Sequence, residues 1–164
     1  MTIAVCPGSF DPVTFGHVDI FQRASKLFDK VIILVSVNLA KEASFSVEER
    51  MTMIKRVTKD LPNIEVDCDD GLLAEYVKRK NAKVIVKGLR AVSDFEYEFQ
   101  MALANKRLYE EAETVFLTTS SENMFLSSSV IKQVASLGGD ISPFVPAEIL
   151  DDINKRLILK EKLK

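Results

Sequence analysis

Short runs of β-branched and apolar residues alternate along the chain with segments whose apolar positions recur at helical spacing. Residues 3–6, 31–37, 64–68, 84–87 and 114–117 read as strands. The run Val31-Ile32-Ile33-Leu34-Val35 is apolar without interruption, as expected of a strand covered on both faces. Strand and helix in alternation predict an α/β fold: a Rossmann-like, doubly wound, parallel five-stranded sheet with helices on both faces, in one domain spanning residues 1–164.

Boundary signals punctuate the helices. Ser46-Val47-Glu48-Glu49 reads as a capping box, Pro62 as the stop of the helix it opens, and Val47, Met51, Ile54 and Leu61 as one face of that helix. Asp94 reads as the cap of the next long helix, on which Phe95, Phe99, Ala102 and Lys106 fall at helical spacing. Gly138-Gly139 can end the helix that follows Ser127-Ser128-Ser129, and Pro146 can open a last one.

Composition narrows the function. With 164 residues, 47% hydrophobic and 28% charged, the chain is neither disordered nor fibrous. A net charge of −2 gives no overall pull toward nucleic acid, so none is expected as a partner. Neither a signal peptide nor a membrane-spanning run is visible, and Cys6 and Cys68 have no disulfide or zinc spacing; these features predict a cytoplasmic protein with free thiols.

In such sheets ligands bind beyond the carboxyl ends of the strands. The chemically distinctive residues lie just after predicted strands: Pro7 to Thr14 after the first, Lys41 after the second, and Gly88-Leu89-Arg90 after the fourth, with the serine triplet following the fifth. Gly8 permits close backbone approach to a phosphate, and Thr14 can cap a helix whose free amides face an anion. His17 falls on the inward stripe with Ile20, Phe21, Ala24 and Phe28. A lone histidine there is usually core packing, but beside a phosphate loop it becomes a candidate donor to a phosphoryl oxygen, with its charge state open. Lys87 and Arg90 bracket a glycine at a strand end and suit an anion. By its chemistry alone Glu98 reads as an exposed helix carboxylate. Ser127, Ser128 and Ser129, with Lys132 one turn inside the helix, form a second phosphate seat.

The motifs Gly8-Ser9-Phe10-Asp11-Pro12, Thr14-Phe15-Gly16-His17, Lys87-Gly88-Leu89-Arg90-Ala91 and Asp94-Phe95-Glu96-Tyr97-Glu98, with the three serines, closely resemble those of bacterial phosphopantetheine adenylyltransferases over nearly the whole chain. The Thr-x-Gly-His element marks the wider nucleotidyltransferase superfamily; the Gly-Leu-Arg-Ala and acidic block is more specific. The resemblance implies reversible adenylyl transfer from ATP to 4′-phosphopantetheine, giving dephospho-coenzyme A and pyrophosphate, with magnesium. It implies a homohexamer and makes coenzyme A a candidate feedback ligand. It assigns His17 to transition-state stabilisation, Ser9 to both substrates, and Lys41, Leu73 and Lys87 to the acceptor. It assigns Phe10, Gly88, Leu89, Arg90, Glu98, Asn123, Met124, Phe125, Leu126, Ser127, Ser128 and Ser129 to ATP. Two departures stand out: Ser9 where threonine is usual, and Lys87 where arginine is usual, the latter losing a bidentate grip. The alternatives are a superfamily transferase acting on another phosphate monoester and a non-catalytic nucleotide-binding module.

Overall fold

A computed structural model describes residues 1–37 and 42–159. Five parallel strands, β1 (Ile3–Gly8), β2 (Lys30–Ser36), β3 (Ile64–Asp69), β4 (Val84–Leu89) and β5 (Glu113–Thr118), form one sheet in the order β3-β2-β1-β4-β5. The helices are α1 (Phe15–Leu27), α2 (Val47–Val57), α3 (Leu73–Arg79), α4 (Val92–Leu108), α5 (Ser128–Ser136) and α6 (Ala147–Leu159). The chain winds outward from β1 to β3, then crosses back to lay β4 on the free edge of β1. That reversal opens a crevice between the carboxyl ends of β1 and β4.

Alternation within the strands feeds two cores. Ala4, Cys6, Val31, Ile33 and Val35 face a cluster built with α1, α2, α5 and α6. Val5, Ile32, Leu34 and Ile85 face the other side, under Tyr76 and Val77 of α3. The apolar run in β2 is therefore a strand buried on both faces, as predicted. Among the described residues no helix is long and apolar enough to cross a membrane.

Local signals act largely as read. The Ser46–Glu49 capping box forms in both directions, at 3.2 and 2.7 Å. Gly138 adopts φ 78°, and the amides of Gly138 and Gly139 bond the carbonyls of Ala135 and Val134, which is a Schellman stop. Three readings change. Helix α2 ends before Pro62: Thr58 caps it and returns its own hydroxyl to Ile54 O at 2.7 Å, so Leu61 lies beyond the helix. Its fully buried positions are Arg50, Met53 and Ile54, with Val47 and Met51 only half-buried. Asp94 is not the cap of α4, because Ala91 takes that position without a side-chain bond and Asp94 sits within the first turn.

Candidate active site

A cleft of about 820 Å³ lies at the reversal point, walled by residues from β1, α1, β4, α4 and the start of α5. The loop after β1 folds Phe10 back over the strand end: φ is 48°, in the left-handed region that bulky residues avoid. Packing holds it there, the ring lying edge-on to Phe21 at 5.2 Å and to His17 at 5.1 Å. Gly8 is required by this arrangement, since a Cβ would stand 2.7 Å from the Phe10 ring. Phe10 is thus the buried floor under His17 rather than an exposed stacking surface.

Thr14 caps α1 as expected, and His17 completes the cap in reverse. The Thr14 hydroxyl accepts from His17 N–H while His17 Nδ1 accepts from Thr14 N–H at 3.0 Å. This is a capping box with imidazole in the place usually taken by glutamate or glutamine. An accepting Nδ1 carries no proton, so the neutral ring carries it on Nε2. Burial, and next the charge of Arg90, push the imidazole pKa down to about 4. Both the accepting Nδ1 and the lowered pKa favour a neutral His17 in the free protein, with its N–H on Nε2.

Three cations on the cleft wall, Lys87, Arg90 and Lys132, each have an acidic partner. Lys87 pairs with Glu98 at 3.2 Å, so Glu98 is half-buried and engaged rather than an exposed carboxylate. Arg90 pairs with Asp94 at 3.2 Å and donates to Leu126 O at 3.1 Å, joining the end of β4 to the segment before α5. Lys132 reaches Asp11 at 2.9 Å. The serines divide their work: Ser127 caps α5, Ser128 donates to Pro12 O at 2.7 Å, and Ser129 is exposed on the wall. Cys6, also on the wall, is held as an unreactive thiol, its pKa pushed up to about 12 by burial although Lys87 opposes this.

His17, Ser9, Phe10, Lys87, Gly88, Arg90, Glu98, Leu126, Ser127, Ser128 and Ser129 thus come together on one wall. Leu73, Leu89, Asn123, Met124 and Phe125 do not line it. Leu73 packs half-buried against the Tyr76 core, Asn123 bonds Ser120 at 2.9 Å, and Met124 and Phe125 are exposed. Lys41 lies outside the described residues. Two further residues, Asp11 and Arg50, are nearly fully buried at the cleft. Asp11 carried a signal of sorts, a carboxylate amid the apolar and turn residues of the loop; Arg50 carried none beyond its place on α2.

The Cytidylyltransferase-like family model matches residues 5–134. The chain is 56% identical to a phosphopantetheine adenylyltransferase of Caldanaerobacter subterraneus, over 99% of both chains. It is 57% identical to one from Clostridium tetani, over 95% of this chain and 98% of that one. The chain belongs to the phosphopantetheine adenylyltransferase family. Two solved structures share the fold at low sequence identity. A putative nicotinate-nucleotide adenylyltransferase from Vibrio parahaemolyticus matches with TM-score 0.67 and 21% identity, over 99% of this chain and 95% of that one. The nicotinic acid mononucleotide adenylyltransferase of Plasmodium falciparum matches with TM-score 0.71 and 15% identity, over 99% of both chains. As in other phosphopantetheine adenylyltransferases, nucleotidyl transfer is the activity this cleft has to support, and its conspicuous groups are donors and cations rather than a nucleophile–base pair.

Proposed function

We propose that this chain transfers the adenylyl group of ATP reversibly to 4′-phosphopantetheine, yielding dephospho-coenzyme A and pyrophosphate. The observation that carries this reading is the convergence of a neutral His17 N–H donor with Arg90, Lys87 and Lys132 at the reversal point, in a chain over half identical to enzymes named for that reaction. The acceptor's phosphate oxygen attacks the α-phosphorus in line, and pyrophosphate leaves. A phosphate monoester is largely ionised at neutral pH, so no general base is needed and catalysis falls to positioning and charge stabilisation. In this reading His17 Nε2–H donates to an α-phosphate oxygen as charge builds there. Arg90, Lys132, Ser129 and the α5 amides hold the triphosphate, with Gly88, Leu89 and residues 123–126 around the nucleotide. Ser9, Lys41 and Lys87 take the acceptor, and Glu98 sets the position of Lys87.

Among the described residues no three His, Cys, Asp or Glu side chains converge on a metal position. Asp11, Asp94 and Glu98 each face a cation. Magnesium is accordingly proposed to enter chelated by the triphosphate, screening its charge, rather than on a protein cage. Coenzyme A, which carries the acceptor's own phosphopantetheine arm, is the proposed feedback ligand of the same seat. The cytoplasm is the compartment of this reading, in keeping with two free thiols.

The homohexamer is supported by α4, which leaves Phe95, Tyr97, Phe99, Met101, Leu103 and Leu108 exposed beside the edge strand β5. So much uncovered apolar surface on one helix suits a contact between copies. Light scattering should give a hexameric mass, and Phe99→Glu with Leu103→Glu should lower it; a monomer in the unsubstituted protein would overturn this.

Pyrophosphate release with ATP, magnesium and a panel of phosphorylated acceptors tests the activity. Phosphopantetheine should turn over best. Turnover with nicotinate mononucleotide or glycerol phosphate but not with phosphopantetheine would defeat the proposal, and ATP binding without pyrophosphate exchange under any acceptor would favour the non-catalytic module.

A further inference from the structure

We propose that Asp11 is a positioning residue that sets the acceptor side and the triphosphate side of the cleft from a single carboxylate. Asp11 follows Phe10 in the loop between β1 and α1 and is 6% exposed. Its Oδ1 accepts the Phe45 amide at 2.9 Å; its Oδ2 accepts the Ser44 amide at 2.9 Å and Lys132 Nζ at 2.9 Å. Ser44 and Phe45 lie on the segment that leads from β2, past Lys41, into α2. Lys132 lies one turn inside α5, above the three serines.

A buried carboxylate is costly unless paired and hydrogen-bonded, and here the Ser44 and Phe45 amides and Lys132 Nζ all donate to it. Only an acceptor-only side chain answers three inward donors at once. The tie is returned from the other side. Arg50, 5% exposed on α2, donates to Ser9 O at 2.8 Å and to Ser46 O at 3.3 Å. From α6, Arg156 holds Ser44 O at 3.0 Å. The phosphate loop and the entrance of α2 are therefore bound in both directions, and α5 is bound to the same carboxylate. An in-line displacement between two substrates needs their seats at a fixed separation, and Asp11 is where that separation is set.

The assignment of seats rests on the proposed function; the ties themselves do not. The test is Asp11→Asn, which keeps the shape but turns an NH2 toward a donor. With phosphopantetheine and ATP varied in turn, kcat/KM should fall about 10–100-fold for each substrate. Hydrogen exchange read by NMR, which needs no substrate, should show the Ser44 and Phe45 amides losing protection while the His17 amide keeps it. Lys132→Met, which leaves both amide ties in place, should raise KM for ATP alone and leave Ser44 and Phe45 protected. The proposal is overturned if Asp11→Asn leaves both substrates' kcat/KM within about twofold of wild type. It is overturned equally if Ser44 and Phe45 exchange as in wild type, or if Lys132→Met alone reproduces the loss for both substrates. Should Asp11→Asn not fold, Lys132→Met decides: a raised acceptor KM with both amides protected would refute the separation of the two arms. Loss of turnover in the unsubstituted protein, with protection at both amides intact, would refute the reaction and leave the clamp standing.

Discussion

Replacing His17 with alanine is expected to lower kcat by about 10²–10³ while KM for ATP changes only a few-fold, because a donor aimed at developing charge acts on the transition state far more than on bound substrate. The structure supplies the reason for that selectivity. Thr14 N–H occupies Nδ1 at 3.0 Å, which fixes the ring and leaves Nε2–H as the free donor. His17→Gln is the informative companion, since glutamine can complete the same capping box through its carbonyl while keeping an N–H donor, and it should fall between wild type and alanine. If His17→Ala turns over near the wild-type rate, the role assigned to His17 is wrong.

The same histidine gives a pH prediction. Burial and Arg90 hold the imidazole near 4, below its ordinary value, so the folded protein favours the neutral ring. The stability this contributes is complete above the unfolded value near 6.5, declines as pH falls, and is lost at about 4, amounting to at most ~3 kcal/mol. His17 is the only histidine in the chain, so NMR of the imidazole in the free protein reads it without interference. No titration should be seen between pH 6 and 8, with Nδ1 unprotonated. A midpoint near 6.5 would refute both the burial and the capping geometry as the controlling features.

Much of the architecture was legible because local chemistry and global packing agree. The apolar run of β2 needed cover on both faces, the Ser46–Glu49 box and the Gly138-Gly139 stop bear the residues such ends require, and the distinctive side chains follow the strands. Strand order was not legible. Alternating strands and helices demand crossovers but do not say that β4 returns beside β1, and that adjacency is what joins the phosphate loop to Arg90. Asp94 was misread because aspartate suits both a cap and a first turn, and here its partner is Arg90. Pro62 was misread because Thr58 ends the helix first through its own hydroxyl. The cleft's positioning groups were hidden by distance in sequence: Asp11 meets Lys132 from 121 positions away, and Arg50 meets Ser9 from 41 away. No periodicity carries such pairs. The second half of the histidine capping box was hidden for another reason, since imidazole is not the residue that motif usually signals.

Arg90 touches Asp94 and Leu126 O and bears on the charge of His17, and Arg90→Ala should raise KM for ATP about 10–100-fold, the range expected when hydrogen bonds to a charged group are lost. Three consequences should appear together. The Asp94 carboxylate loses its cation, Leu126 O loses the donor at 3.1 Å that ties the α5 approach to β4, and His17 loses the neighbouring charge that helps keep its ring neutral. The imidazole pKa should therefore move upward from about 4, although burial, its larger cause, remains. Arg90→Lys separates the terms. Lysine restores a point charge, and with it part of the downward push on His17, but cannot span Asp94, Leu126 O and a phosphate with one planar fork. It should recover the histidine titration more fully than it recovers ATP affinity. If Arg90→Ala leaves KM for ATP unchanged, the triphosphate is not seated against Arg90; if Arg90→Lys restores both properties equally, charge alone accounts for Arg90 and the fork geometry contributes nothing.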